Sequence, residues 1–250
     1  HCFYEGKTPV GRALKWGWDH TIERVLLAYA TRVIVLSAYW REYLVARGLP
    51  TARVAELPNG VSMAQLLAEP SASIKLSGKP AILSVSRLDP VKRVEDAIAA
   101  LAEPGLAEAH LHIIGRGADG DRLKEIAASK NVAARVTFHG FQEDVAIAAM
   151  ARGADMFVIA SAEEGMPTTI LEMLARRVPV VASRIPGNLS LTGPLQWDYT
   201  YPLADVPALA ATILRAQTAM VDDALLQQLT AQFDWPSLAA RTLALYGAAS

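Results

Sequence analysis

From about residue 31 onward, short apolar runs alternate with stretches whose apolar positions recur every three or four residues. RVIVLS (32–37) reads as a strand, AYWREYLVARG as a helix ending at Gly48, and RVAEL (53–57) as a second strand closed by PNG. AILSVS (81–86), HLHIIG (110–115), RVTFHG (135–140), DMFVIAS (155–161) and VPVVAS (178–183) each predict a further strand. Between them KRVEDAIAALA, DGDRLKEIAAS, DVAIAAMARG and TTILEMLARR have helical spacing. The tail from Val206 is alanine-rich and helical, with Pro207 and Pro236 near helix starts. Leu66 to Pro80, with two prolines and several serines, is the best linker candidate.

Strands alternating with helices predict a parallel sheet covered on both sides. The strands are nearly continuous apolar runs, as burial of both faces requires. The fold class expected is α/β, a doubly wound parallel sheet of Rossmann type. Such sheets bind ligands beyond the carboxyl ends of their strands. Chemistry is therefore to be sought in the loops after Ser86, Gly115, Gly140 and Ser161.

Composition narrows the picture. The 250 residues are 52% apolar and 20% charged, enough for a substantial core. A net charge of −1 argues against a broad nucleic-acid or anionic-membrane footprint. Cys2, the one cysteine, excludes an intrachain disulfide and fits a reducing compartment. No apolar run is long enough to span a bilayer, and no signal-peptide pattern is present. His1 is not an initiator residue, so the numbering is expected to begin inside a longer gene product or after processing.

GRGADG (115–120) follows a strand and spells GxGxxG. The dinucleotide fingerprint also needs an acidic residue at the end of the next strand, and RVTFHG ends in His139 and Gly140. The turn is either a tight connection needing small residues or a place where another nucleotide approaches the backbone. His110 and His112 alternate on one face of a strand without a third ligand, so they are read as structural and no metal is expected. No GxSxG elbow occurs.

The strongest constellation lies in SVSRLDPVKR and EEGMPTTILEML. Arg87 follows a strand directly, and Lys92 comes five residues later, near a helix start. Both face one crevice, where two cations can hold a diphosphate and offset its charge as a bond to it breaks. The rival reading is two solvated surface cations. A helix beginning near Thr168 would point free N–H groups at the same crevice. Gly165 permits close approach, and Pro167 is tolerated at a helix start. Glu164 precedes the helix. Glu172, one turn in, is placed to accept from sugar hydroxyls or to lie on a wet face.

These segments, with VIVLS, LPNGVS, LHIIGRG, VTFHGF, VPVVAS, IPGN and FDWPSLAARTLALY in order, resemble the retaining glycosyltransferases of family 4, of GT-B architecture. The resemblance implies that Arg87 and Lys92 bind the donor diphosphate and that Glu164 lies by the donor sugar. It implies that Glu172 holds the ribose and that Met166, Pro167, Thr168 and Thr169 contact sugar and phosphate. Phe141 would border the base, and Gly115 and Gly117 would line the donor. Catalytic roles fall to Arg87, Lys92 and Glu164, with the leaving phosphate as the implied base. His1 matches a histidine near the donor phosphates. Ser86, Arg93 and Arg177 stand where glycine is usual, Ala160 where proline is, and Ser62 where aspartate is.

The implied domains are a truncated remnant of an acceptor-side Rossmann-like domain (1–66), a nucleotide-sugar domain (67–232) and a C-terminal helix (233–250). The implied reaction moves a hexosyl group from a nucleotide-diphosphate sugar to a saccharide, lipid-linked or small-molecule acceptor. It needs no cofactor, retains anomeric configuration, and occurs in the cytoplasm or peripherally at the inner membrane face. The alternative is a nucleotide-sugar-binding module, or a half-enzyme requiring a second chain or domain. A GT-B isomerase ranks below both, because no set of acid–base side chains stands out.

Overall fold

The structure, a computed structural model, describes residues 23–68 and 72–247, with Val10, Gly17 and Thr21 as single positions before them. His1 and Cys2 lie outside the described residues. The chain divides into two compact units: the described residues up to Asn59 together with those from Pro236, and Gly60–Trp235. No helix among the described residues is long and apolar enough to cross a membrane.

The first unit contains α1 (Glu23–Tyr29), β1 (Val33–Val35), α2 (Ala38–Ala46) and β2 (Val54–Glu56). β1 and β2 pair in parallel, Val33 opposite Val54. Val35, Leu44 and Val54 form its small core, against which Trp40, Tyr43 and Leu49 pack. Arg41 pairs with Glu56 at 2.8 Å, and the guanidinium of Arg241 donates to the Glu56 carbonyl at 3.2 Å.

The second unit opens on α3 (Met63–Ala68). Residues 72–79, within the stretch read as a linker, then cross over a helix, the Ile74 amide donating to Ala149 O at 2.9 Å. Next come β3 (Ala81–Val85), a 3₁₀ turn (Pro90–Lys92), α4 (Val94–Ala100), β4 (His110–Ile114), α5 (Gly120–Ser129) and β5 (Val136–Gly140). Then follow α6 (Asp144–Gly153), β6 (Met156–Ile159), α7 (Thr168–Ala175), β7 (Val180–Ser183), α8 (Pro186–Thr192) and β8 (Thr200–Tyr201). The tail forms α9 (Val206–Ala216), α10 (Asp223–Phe233) and α11 (Trp235–Gly247), which continues beyond the unit's last residue, Trp235.

The six strands form one parallel sheet in the order β5-β4-β3-β6-β7-β8. This is the doubly wound order, and chain direction across the sheet reverses between β3 and β6. Alternation along each strand divides the burial between two faces. Ile82, Leu111, Ile113, Met156, Val158 and Val181 pack with α4, α5 and α9. Their neighbours Leu83, Phe157, Val180 and Ala182, equally buried, turn to the opposite face. Both faces are apolar because both are covered, which is why the strands read as unbroken apolar runs.

Three histidines occupy the β4–β5 side of the sheet. His110 and His112 stack at 4.6 Å between ring centroids, and His112 Nδ1 lies 3.0 Å from His139 Nε2. His110 Nε2 meets Thr137 Oγ1 at 2.8 Å, and His112 Nε2 meets Ser77 O at 3.0 Å. Both ring nitrogens of His112 are engaged within the fold, and among the described residues no three His, Cys, Asp or Glu side chains form a group that could hold a metal ion.

Candidate functional site at the sheet reversal

The loops after β3 and β6 flank the point where strand order reverses, which is where an open parallel sheet leaves a crevice at its carboxyl ends. The 3₁₀ turn after β3 carries Lys92, and the loop after β6 carries Glu164. Their backbones are tied by the Ala162 amide donating to Val91 O at 2.8 Å. Their side chains meet: Lys92 Nζ donates to Glu164 Oε1 at 2.7 Å, the two side chains being only 17% and 13% exposed. Ser161 Oγ donates to the same carboxylate oxygen at 2.6 Å.

α7 starts at Thr168, as the spacing predicts, with extended Pro167 at its N-cap making no side-chain cap hydrogen bond. No acidic residue occupies its first turn. Its first amides and dipole therefore favour an anion arriving at this end. A Cβ built on Gly165 would meet nothing within 4 Å, so Gly165 borders open space. Met166 is buried, while Pro167, Thr168 and Thr169 are half-buried.

The β3 loop owes its shape to the glycines of GRGADG. At Gly115, φ is +139°, and an added Cβ would stand 1.8 Å from Ser86 O. At Gly117 it would stand 2.1 Å from Leu88 O. The two loops are laced by Ser86 N to Ile114 O, Leu88 N to Arg116 O and Asp119 N to Leu88 O, each 3.0 Å. The glycines thus lie against the backbone on either side of Arg87. Asp119 joins this arrangement through Arg122, whose hydrogen bonds hold its carboxyl below the usual carboxylate range.

The remaining sequence-predicted residues stand apart. The Arg87 side chain is 78% exposed and its guanidinium lies 3.3 Å from Asp89, as a solvated cation would. Glu172 is 32% exposed and faces Arg176, the C-cap of α7, at 3.8 Å. Phe141 is exposed after β5, with the Arg116 guanidinium 5.9 Å over its ring. Thus the structure joins Lys92 to Glu164 and the two glycines to the Arg87 loop. It does not join Arg87 or Glu172 to either.

Sequence reasoning gave no role to Ser161, Ser183, Gly187 or Asn188. A Cβ on Gly187 would meet Glu164 O at 2.1 Å, so the start of α8 lies directly against the Glu164 backbone. The signal was the IPGN segment, whose glycine and buried asparagine open a helix behind the Glu164 loop.

Comparison with known proteins gives a consistent family. The profile described as Glycosyl transferases group 1 matches residues 68–218, and one described as Glycosyl transferase 4-like domain matches residues 1–60. Glycogen synthase of Mycobacterium tuberculosis is 30% identical over 245 residues, 92% of this chain and 57% of that protein. Lipopolysaccharide 1,6-galactosyltransferase of Salmonella typhimurium is 28% identical over 170 residues, 66% of this chain and 46% of that protein. The chain spans about half the length of these relatives. Among solved structures, sucrose-phosphate synthase of Thermosynechococcus elongatus matches with a TM-score of 0.75 at 26% identity, covering 99% of this chain and 64% of that one. Anabaena Alr3699/HepE in complex with UDP matches with a TM-score of 0.76 at 18% identity, covering 90% of this chain and 66% of that one. The parallel-sheet fold is that of GT-B glycosyltransferase structures.

Proposed function

Because the chain belongs to the Glycosyl transferases group 1 family, we propose that it holds a nucleotide-diphosphate sugar at the sheet reversal for transfer of the glycosyl group to an acceptor, with retention at the anomeric carbon. The observation that carries this reading is the Lys92–Glu164 pair at the reversal. Glu164 lies in the loop that leads into α7, whose N-cap Pro167 makes no side-chain cap hydrogen bond. The ammonium and the α7 amides suit the diphosphate, which gains negative charge as the sugar leaves. Arg87, being exposed and weakly held by Asp89, is free to swing onto the same anion. The glutamate suits a sugar hydroxyl, because a carboxylate accepts strongly from O–H donors. Acceptor saccharides, lipid-linked or otherwise, are what the names of relatives such as the galactosyltransferase suggest.

The test is donor hydrolysis and transfer by the full chain and by Arg87→Ala and Glu164→Ala. Rates reduced in both support the mechanism, and unchanged rates in both remove it. The two-stranded sheet of the first unit, described for residues up to Asn59, favours a second reading. In that reading the chain binds donor and transfers only with a further domain or chain. Calorimetric binding of UDP without turnover favours it.

A further inference from the structure

A directed set of hydrogen bonds runs from α8 to the carboxylate of Glu164. Asn188, fully buried, donates through Nδ2 to Ser183 O at 2.9 Å and to Ser183 Oγ at 3.0 Å. Its amide orientation is fixed, because Ser183 O is a carbonyl and can only accept. With its oxygen accepting from Asn188, the Ser183 hydroxyl spends its proton on Ser161 O at 2.6 Å. The Ser161 hydroxyl spends its own on Glu164 Oε1 at 2.6 Å. Every donor is used, so the order cannot be reversed. Asn188 Oδ1, meanwhile, is buried with no partner among the described residues. A buried acceptor left unmade costs stability, so an asparagine here is poorly explained by packing alone.

The same helix start also touches the main chain of Glu164, since Gly187 leaves no room for a Cβ against Glu164 O. Glu164 is therefore fixed twice from α8. Its Oε1 takes two donors, Lys92 Nζ and Ser161 Oγ, while among the described residues Oε2 has no partner.

We infer that Asn188, Ser183 and Ser161 are positioning residues for Glu164: they lock Oε1 beside Lys92 and leave Oε2 as the one oxygen presented to a ligand hydroxyl. The inference rests on the donor-site reading for its purpose, but the positioning itself can be measured without any donor. Lys92 reports it: its side chain is 17% exposed and paired with Glu164, and loosening Glu164 is expected to raise its rate of acylation.

The experiment is the rate of Lys92 acetylation by an activated acetate ester on the full chain, followed by peptide mass spectrometry, with Lys124, which is 60% exposed, as internal reference. Ser183→Ala, which removes a single hydroxyl, is predicted to raise the Lys92 rate at least about threefold with Lys124 unchanged. Ser183→Thr, which keeps the hydroxyl, restores the slow rate. In a Glu164→Gln background Ser183→Ala adds nothing further. A wild-type rate in Ser183→Ala, or the same increment in both backgrounds, overturns the inference, since mere loosening of the fold would not depend on Glu164. UDP calorimetry on the same wild-type protein reads the donor site separately: absence of binding there counts against the proposed function and leaves the acetylation result to decide the positioning.

Discussion

Lys92 Nζ lies 2.7 Å from Glu164 Oε1, joining two loops that are 72 residues apart in sequence and adjacent at the reversal of the sheet. The pair is shielded enough for removal of either partner to leave a poorly solvated charge. Its two halves nonetheless differ toward an anion: the ammonium attracts a diphosphate and the carboxylate repels one.

Arg87 separates binding from stability. Its side chain is 78% exposed and its ion pair with Asp89 is loose, so Arg87→Ala is expected to change unfolding free energy by no more than about 0.5 kcal/mol. Loss of activity in that variant with an unchanged urea midpoint identifies a ligand contact. A lowered midpoint would assign Arg87 to the fold.

The glycines divide into two kinds. Gly115→Ala forces a Cβ to within 1.8 Å of Ser86 O at a left-handed φ, so a loss of about 2–4 kcal/mol is expected in chemical denaturation. Gly165→Ala meets nothing and is expected to stay within about 0.5 kcal/mol of the wild type. If Gly165 serves close approach of a ligand, the alanine weakens donor binding while leaving stability intact.

Two arginines adopt left-handed conformations, Arg93 at φ +47° and Arg177 at φ +62°. Glycine would relieve about 1–2 kcal/mol of strain at each. At Arg93 that relief is outweighed, because its guanidinium makes two bonds to Asp96, whose side chain is 6% exposed. Arg93→Gly is expected to destabilise by about 2 kcal/mol or more. Arg177 is half exposed and pairs with an exposed Asp223, besides donating to Val221 O. Arg177→Gly is expected to be neutral or stabilising by up to about 1 kcal/mol. Equal effects at both positions would show that the ion pairs do not decide the sign.

The histidine ladder predicts acid sensitivity. Burial, reinforced by neighbouring His112, lowers the pKa of His110 and of His139 below the ordinary value near 6.5. Arg135 adds to the effect at His110. Between the folded and unfolded values the unfolded chain binds more protons, so stability is full above about pH 6.5 and declines as pH falls through the folded values. The urea midpoint should drop between about pH 7.5 and about pH 5.5, and drop less in His110→Gln/His139→Gln. An identical drop in the variant would assign the acid loss to carboxylates instead.

The sheet was legible because burial of both faces writes each strand as an apolar run. All seven strands read from the sequence are present, from β1 to β7. β8 was not legible: two residues, Thr200 and Tyr201, are too few for a pattern and are specified by pairing with Ala182 and Ser183. The start of α7 at Thr168 was legible from its proline and apolar spacing. What residue spelling could not supply was contact across the sheet: that Lys92 is bonded to Glu164 rather than standing open, and that GRGADG packs on the Arg87 loop. The serines behind Glu164 carry no spacing signal, since Ser161 follows β6 and Ser183 ends β7, and they meet only after the sheet forms.

The most direct measurement of the central claim is calorimetric titration of UDP into the full chain, Lys92→Ala and Glu164→Ala. Loss of the ammonium is expected to weaken UDP at least about tenfold, a cost of about 1.4 kcal/mol, while loss of the neighbouring carboxylate leaves UDP binding equal or tighter. Binding of UDP that is indifferent to Lys92, or that weakens only when Glu164 is removed, would contradict the assignment of a diphosphate to this site.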